Sequence, residues 1–376
     1  MQTARPTWAE INLDNLRHNF RVMRQALGAD VSIMAAVKAD AYGHGAVKCA
    51  RALEDEGAEW FGVALPEEGL QLREAGIRRP VLCLGGFWEG QEEMVIEAKL
   101  TPAVFRIDLL GRLDARARAM GRIVDYHVKI DTGMGRLGVP FLELGDFLDA
   151  ASRFENVRLD GVMTHLAAAD ESGQAEFTEA QMSRFAEAVE QARARGHSPT
   201  WIHQANSAAA HARPSSRNRL VRLGGVLYGL WRDVTDRQTA PLDWRPVMSL
   251  HTRITFLKTV PAQTPLGYGC SFVTRRESRI ATLPIGYRDG LRRALSNRGS
   301  AIVRGQAAPI VGRVSMDLTM IDVTDIEGAS TGDEVALIGR QGECEITAEE
   351  VAAQSGTISY EVTCSISERV PRVFKE

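Results

Sequence analysis

The sequence has no apolar run long enough to cross a bilayer, few aromatic residues (6%) and no surplus of charge of either sign. The first absence argues against a membrane-spanning helix, which needs about 20 predominantly apolar residues. The opening "MQTARPTWAEINLDNLRHNF" lacks the apolar core of a secretory leader, so a cytoplasmic address is expected. With 45 Lys and Arg against 48 Asp and Glu, a net charge of −3, no basic domain offers itself to nucleic acid. Cysteine is sparse as well. Cys49, Cys83, Cys270, Cys344 and Cys364 are odd in number and far apart, with no CxxC pair or neighbouring histidine, so neither a disulfide framework nor a metal site is expected. Neither a fixed-period repeat nor a low-complexity tract is found.

What is present is a globular composition, 44% hydrophobic and 25% charged, on a chain long enough for two domains. Short β-type runs alternate with amphipathic segments through roughly the first 230 residues. Strands are predicted over 31–38, 60–65, 80–84, 101–105, 123–130, 157–165, 199–203 and 220–223, and helices over 13–27, 46–56, 66–75, 107–120, 142–152 and 175–195, with a short one in "SAAAHAR". In "LPEEGLQLREAG", Pro66 opens a helix, acids fill its first turn and Gly76 lies beyond its end. Eight βα units predict an α/β fold, a (β/α)₈ TIM-type barrel. Beyond about Leu242 the rhythm changes to successive β runs, among them "VMSLHTRITFLKTV", "RIATLPIGY", "APIVGRVSM" and "DEVALIG", with a single helix after Thr347. The expected division is a barrel over 11–240 and a mostly-β C-terminal domain over 241–376 that also takes residues 1–10. Its joint is the turn-rich "WRDVTDRQTAPLDWRP".

Chemistry in such a barrel sits at the carboxyl-terminal strand ends. Those ends carry Lys38, Arg136, His165, His203 with Asn206 and Ser207, and Arg222 with Gly224 and Gly225. Each has a bland alternative: Lys38 as a polar strand end, His165 as a hydrogen-bonded rim residue, Arg136 as a partner for Asp131. Together they form too dense a cluster of donors and cations for a barrel built only for stability. Loops after the seventh and eighth strands are a frequent phosphate site, and "YGHG", "QANS" and "RLGGVLYG" place hydroxyls and open backbone there. An amine opposite a phosphate cradle fits an aldehyde cofactor with a phosphate, pyridoxal 5′-phosphate (PLP).

The motifs "AVKADAYGHG", "VKIDTGMGRLG", "MTHLA", "HQANSAA", "VRLGGVLYG", "LGYGCSF", "LPIGYRDG", "GRVSMD" and "RVPRVF" occur in an order that resembles the alanine racemase family over nearly the whole chain. The resemblance implies a PLP-dependent enzyme that interconverts L- and D-alanine and supplies D-alanine for peptidoglycan. It implies Lys38 as cofactor anchor and one base, and Tyr268 as the other. Tyr42, Asn206, Ser207, Gly224 and Gly225 would bind phosphate. Arg222 would face the pyridine nitrogen, with His165 behind it and His203 near the cofactor. Arg136, Met316 and Asp317 would approach the substrate. The second-domain residues would reach the partner's site in a homodimer. Lys129 matches a lysine that is carbamylated in some relatives, with an ordinary pairing of Lys129 and Asp131 as the alternative.

Three positions depart from the family pattern. Ser315 stands where cysteine is common, Gly225 where a branched apolar residue is frequent, and Glu368 where some members place a tyrosine near the phosphate. The first two leave room for serine beside alanine as a substrate. A barrel-type PLP decarboxylase would share both domains but would bring a cysteine motif and a glycine-rich phosphate loop not found here. A PLP-carrier barrel would lack the β domain and Tyr268, and a purely structural barrel would bind no cofactor.

Overall fold

The computed structural model describes residues 5–232 and 242–376. The strands Ser32–Ala36, Trp60–Val63, Val81–Cys83, Thr101–Val104, Val124–Asp131, Val157–Met163, Trp201–His203 and Leu220–Leu223 pair in parallel in chain order, and the last pairs with the first. The eighth strand meets the loop after the seventh where Arg222 N–H donates to Ala205 O, 3.0 Å. This is the (β/α)₈ barrel that the alternation predicts. Burial on both faces explains why most of these strands read as apolar runs, while Val124–Asp131 and Val157–Met163 carry charged residues along them.

The helices Leu13–Leu27, Ala46–Asp55, Pro66–Glu74, Ile107–Ala119, Leu144–Ala151 and Ala175–Ala194 fall on the expected segments. The sequence pattern did not signal Glu92–Glu97, because six residues are too few to display a helical period. Pro66 stands in the first turn of its helix.

The second domain is built on a sheet in the order Gln306–Pro309, Ser300–Val303, Glu334–Gln341, Met248–Arg253, Thr7–Asn12, Arg372–Lys375. Thr7–Asn12 therefore pairs antiparallel with Met248–Arg253 and parallel with Arg372–Lys375 before the chain enters the barrel. A smaller sheet joins Phe256–Val260, Ser278–Leu283 and Thr319–Asp322. Thr347 caps the helix Ala348–Ser355 in a capping box with Glu350. Only the start of "APIVGRVSM" is strand. Beyond it the backbone turns at Gly312, whose N–H is held by Asn297 Oδ1 at 2.6 Å, and Val314 N–H is held by Ser296 Oγ at 3.0 Å. The expected joint near residue 240 lies outside the described residues.

The two domains meet at the mouth of the first barrel strand. Arg372 donates to Gly43 O at 3.1 Å, and a Cβ at Gly43 would run into the backbone of Thr363. Buried Asn19 ties the first helix to the linker side through Leu227 O, 3.0 Å, and Arg245 O, 2.8 Å.

Candidate active site

Lys38 lies two residues beyond the first barrel strand and is half-buried, with its Nζ 6.0 Å from the Tyr42 ring centroid. Burial lowers its pKa, Arg136 adds to the effect and Glu68 opposes it. After Lys38 the backbone does something the sequence does not advertise. Ala39, Asp40, Ala41 and Tyr42 all have φ between 52° and 55°, a left-handed turn made without glycine. Each such residue costs roughly 1–2 kcal/mol, which neighbouring contacts must offset. Glu68 supplies one of them, accepting from Ala39 N–H at 2.7 Å with one carboxylate oxygen and from Ala64 N–H at 2.6 Å with the other.

The turn carries the Tyr42 phenol across to the glycines after the eighth strand. A Cβ at Gly224 would overlap the Tyr42 hydroxyl, and one at Gly225 would overlap Tyr360. Gly224 N–H donates to Ser207 Oγ at 2.9 Å, which leaves the Ser207 hydroxyl proton for another acceptor. Asn206 is engaged in the frame of this cradle: its Oδ1 accepts from Ala209 N–H at 3.0 Å and its Nδ2 donates to Leu166 O at 3.3 Å. Burial raises the Tyr42 pKa, so its phenol stays a donor.

Arg222 is buried and meets no carboxylate among the described residues. Its guanidinium donates to His203 Nδ1 at 3.0 Å, His165 Nδ1 at 3.2 Å and the carbonyl oxygens of His203, Thr164 and Gln204 at 2.9, 2.6 and 3.1 Å. Burial lowers its pKa only to about 10, so it remains a cation. Because guanidinium cannot accept, both imidazoles must be neutral with Nδ1 as acceptor. Burial and the Arg222 charge hold both histidines well below their ordinary pKa. His203 then donates from Nε2 to His127 Nδ1, 2.9 Å away. Burial, with Arg222 adding to it, lowers the His127 pKa to about 3.

Arg136 does not pair with Asp131. Asp131 Oδ1 instead accepts from Gly133 and Gly135 N–H at 2.9 and 3.1 Å, which folds the loop and leaves Arg136 exposed with its charge acting on Lys38, Lys129 and His165. Lys129 is buried, with one contact to Leu84 O at 3.5 Å. Burial lowers its pKa to about 8, and Arg222, Arg136 and Lys38 all push in the same direction.

The remaining expected residues are not brought to this mouth within one chain. Tyr268 is 72% exposed and Met316 52% exposed on the second domain. Asp317 pairs with Arg369 at 2.8 Å, and Arg369 also reaches the buried Asp289. The loop bearing Met316 is fastened to the "GYRDG" turn: Tyr287 N–H donates to Ser315 O, 2.9 Å, and Arg288 N–H to Met316 O, 3.0 Å. Glu368 is exposed.

Two family models match, "Alanine racemase, N-terminal domain" over residues 11–231 and "Alanine racemase, C-terminal domain" over 247–374. The chain belongs to the alanine racemase family. Membership makes it an amino-acid isomerase acting on alanine, in a family that works with PLP. An alanine racemase of Halothermothrix orenii is 43% identical over 373 residues, 99% of this chain and 97% of that protein. The solved alanine racemase of Clostridium difficile 630 superposes with a TM-score of 0.93 at 36% identity, over 100% of this chain and 97% of that one. That of Bartonella henselae, with covalently bound pyridoxal phosphate, gives 0.87 at 30% identity over 98% and 99%.

Four residues of the site escaped the sequence reading. Tyr360, not a residue at 368, brings a second tyrosine to the cradle, where its ring lies 5.3 Å from that of Tyr42. His127 ends the imidazole chain, in space left by the missing side chain of Gly161. Glu68 braces the left-handed turn. Buried Gln181 steadies the His165 loop through His165 O, 3.2 Å, and Ala167 N–H, 2.9 Å. No helix of the described residues is long and apolar enough to cross a membrane.

Proposed function

We propose that PLP is held at the barrel mouth, with Lys38 as its covalent anchor, and that Lys38 and Tyr268 of a partner subunit move the α-proton of alanine. The observation that carries this reading is a half-buried amine at the first strand facing a cradle of Tyr42, Ser207 and Gly224. That donor set fits PLP. The phenol and hydroxyl of Tyr42 and Ser207 suit a phosphate, and the missing side chain at Gly224 admits it. PLP, when bound, makes the Cα proton removable by spreading negative charge into its ring.

Arg222 retains its proton at neutral pH, so it would offer the pyridine nitrogen a hydrogen bond and no transferable proton. A weakly activated ring disfavours side reactions and asks more of the bases. Lys38, with its pKa lowered by burial and by Arg136, has more neutral amine available to accept a proton at Nζ. Racemisation needs a second group on the opposite face. In this chain Tyr268 stands exposed on the second domain, which supports its delivery to another copy. A homodimer with shared sites follows, in which Met316 and Asp317 also approach the neighbour's substrate. Arg136, exposed at the mouth and without an ion-pair partner among the described residues, suits the substrate carboxylate.

Two observations favour alanine over serine. Tyr360 fills the space that Gly225 opens, and the Ser315 hydroxyl is turned into its own loop, donating to Leu318 O at 2.6 Å. Lys129, whose neutral fraction is raised by burial and by the charges of Arg222, Arg136 and Lys38 against the opposing Asp131, suits carbamylation. The product would serve cytoplasmic supply of D-alanine for peptidoglycan.

The test is direct. The purified protein should absorb as a PLP enzyme, and borohydride should fix the cofactor on the Lys38 peptide. A chirality assay should then rank alanine above serine, and both above lysine and arginine. A label on another lysine, or faster turnover of lysine, would overturn the reading.

A further inference from the structure

The left-handed turn from Ala39 to Tyr42 has a clamp that the catalytic reading does not use. His44 is fully buried, with Nδ1 2.9 Å from Ala41 O and 3.0 Å from Tyr42 O. Both are carbonyl oxygens and can only accept, so Nδ1 carries the proton. Burial lowers the His44 pKa to about 4, which keeps the ring neutral, and the two carbonyl acceptors fix this tautomer. Its Nε2 has no hydrogen-bond partner among the described residues. The ring lies 4.7 Å from that of Tyr228, which lies 5.1 Å from that of Tyr42. Backbone alone closes part of the turn, through His44 N–H to Ala41 O at 3.1 Å and Gly45 N–H to Asp40 O at 2.9 Å. For Tyr42 O, the described donor is the His44 ring.

We propose that His44 is a positioning residue for the phosphate-binding phenol: from Nδ1 it bridges the carbonyl oxygens of Ala41 and Tyr42 and so holds the turn that sets the Tyr42 hydroxyl against Gly224. The proposal rests on the reading that this cradle takes the PLP phosphate. Without the bridge, four strained residues can relax and the phenol leaves the cradle. The amine of Lys38, which precedes those residues, is affected less.

The experiment compares PLP with pyridoxal, the same aldehyde without the phosphate, by titrating each into apoenzyme and following absorbance. Wild type should prefer PLP strongly. No preference would remove the cofactor reading, and this proposal with it. His44→Phe keeps a ring for stacking and loses the donor, and should lower the PLP-to-pyridoxal affinity ratio about tenfold while pyridoxal binding holds. His44→Asn places an N–H where Nδ1 stood and should recover most of the ratio, whereas His44→Gln, whose N–H stands in the place of Nε2, should not. An unchanged ratio in His44→Phe, equal rescue by Gln and Asn, or equal loss of both ligands would overturn the proposal. If His44→Phe does not fold, the Asn and Gln pair still decides.

Discussion

Tyr360 occupies the space above Gly225, so that a Cβ at 225 would overlap both its ring edge and its hydroxyl. A single atom added at Gly225 therefore acts on a residue 135 positions away in sequence (360 − 225). Gly225→Ala should push Tyr360 off the cradle and weaken PLP retention about tenfold, the scale of one charge-assisted hydrogen bond. Equilibrium dialysis of the reconstituted enzyme measures it. Retention at the wild-type level would mean that Tyr360 does not contribute to the phosphate site.

Removing the hydroxyl of Tyr268 should separate the two directions of the reaction. Tyr268→Phe should keep its cofactor, because the barrel residues hold it. Exchange of the Cα hydrogen with deuterated solvent should fall at least a hundredfold for L-alanine and far less for D-alanine, the range typical of a lost general base. Mixed dimers of Tyr268→Phe and Lys38→Ala subunits should regain one wild-type site of their two. Equal loss of exchange for both enantiomers would sink the assignment of faces.

Lys129 should take up carbon dioxide. With a pKa of about 8, roughly one amine in ten is neutral at pH 7, against about three in ten thousand for an ordinary lysine. Labelled bicarbonate should give a carbamate carbon signal that is stronger at about pH 8.5 than at about pH 6.5, following the neutral amine. Lys129→Ala should lack it. A signal that survives in that variant belongs to another residue.

Stability should fall with acid well before the carboxylates titrate. The pKa values of His127, about 3, and His44, about 4, lie below the unfolded value of 6.5, so the unfolded chain binds protons that the folded one refuses. Each histidine would therefore withdraw about 1.4 kcal/mol for every pH unit below 6.5, until its folded pKa is reached. The urea midpoint should drop between about pH 7 and pH 5, and less steeply in His127→Phe. Equal slopes in both proteins would show that His127 already accepts a proton in the folded state.

The barrel was legible because most of its strands are short apolar runs alternating with helical segments, although Val124–Asp131 and Val157–Met163 carry charged residues within them, and that alternation does not depend on distant partners. Part of the candidate site was legible for a related reason: Lys38, His165, His203 and Arg222 stand at or near strand ends. The turn after Lys38 was not. Nothing in "ADAY" asks for left-handed backbone, and the contacts that enforce it come from Glu68 and His44. Tyr360 was hidden because it approaches Tyr42 from the second domain, more than 300 residues later in the chain. Tyr268 is exposed in one copy, and its partners are proposed to lie on another.

The strand Thr7–Asn12 is bonded on one side to Met248–Arg253 and on the other to Arg372–Lys375. On a ribosome adding about 5–20 residues each second, that strand emerges tens of seconds before either neighbour exists. The whole barrel can be completed while an unpaired edge waits in front of it. Its burial pattern alternates, with Thr7, Ala9 and Ile11 on one face and Trp8, Glu10 and Asn12 on the other, so the waiting segment exposes apolar atoms on both faces. Pairing of Arg372–Lys375 is thus the step that covers the second edge of Thr7–Asn12, and a chain released before Arg372 would carry a barrel with that edge open.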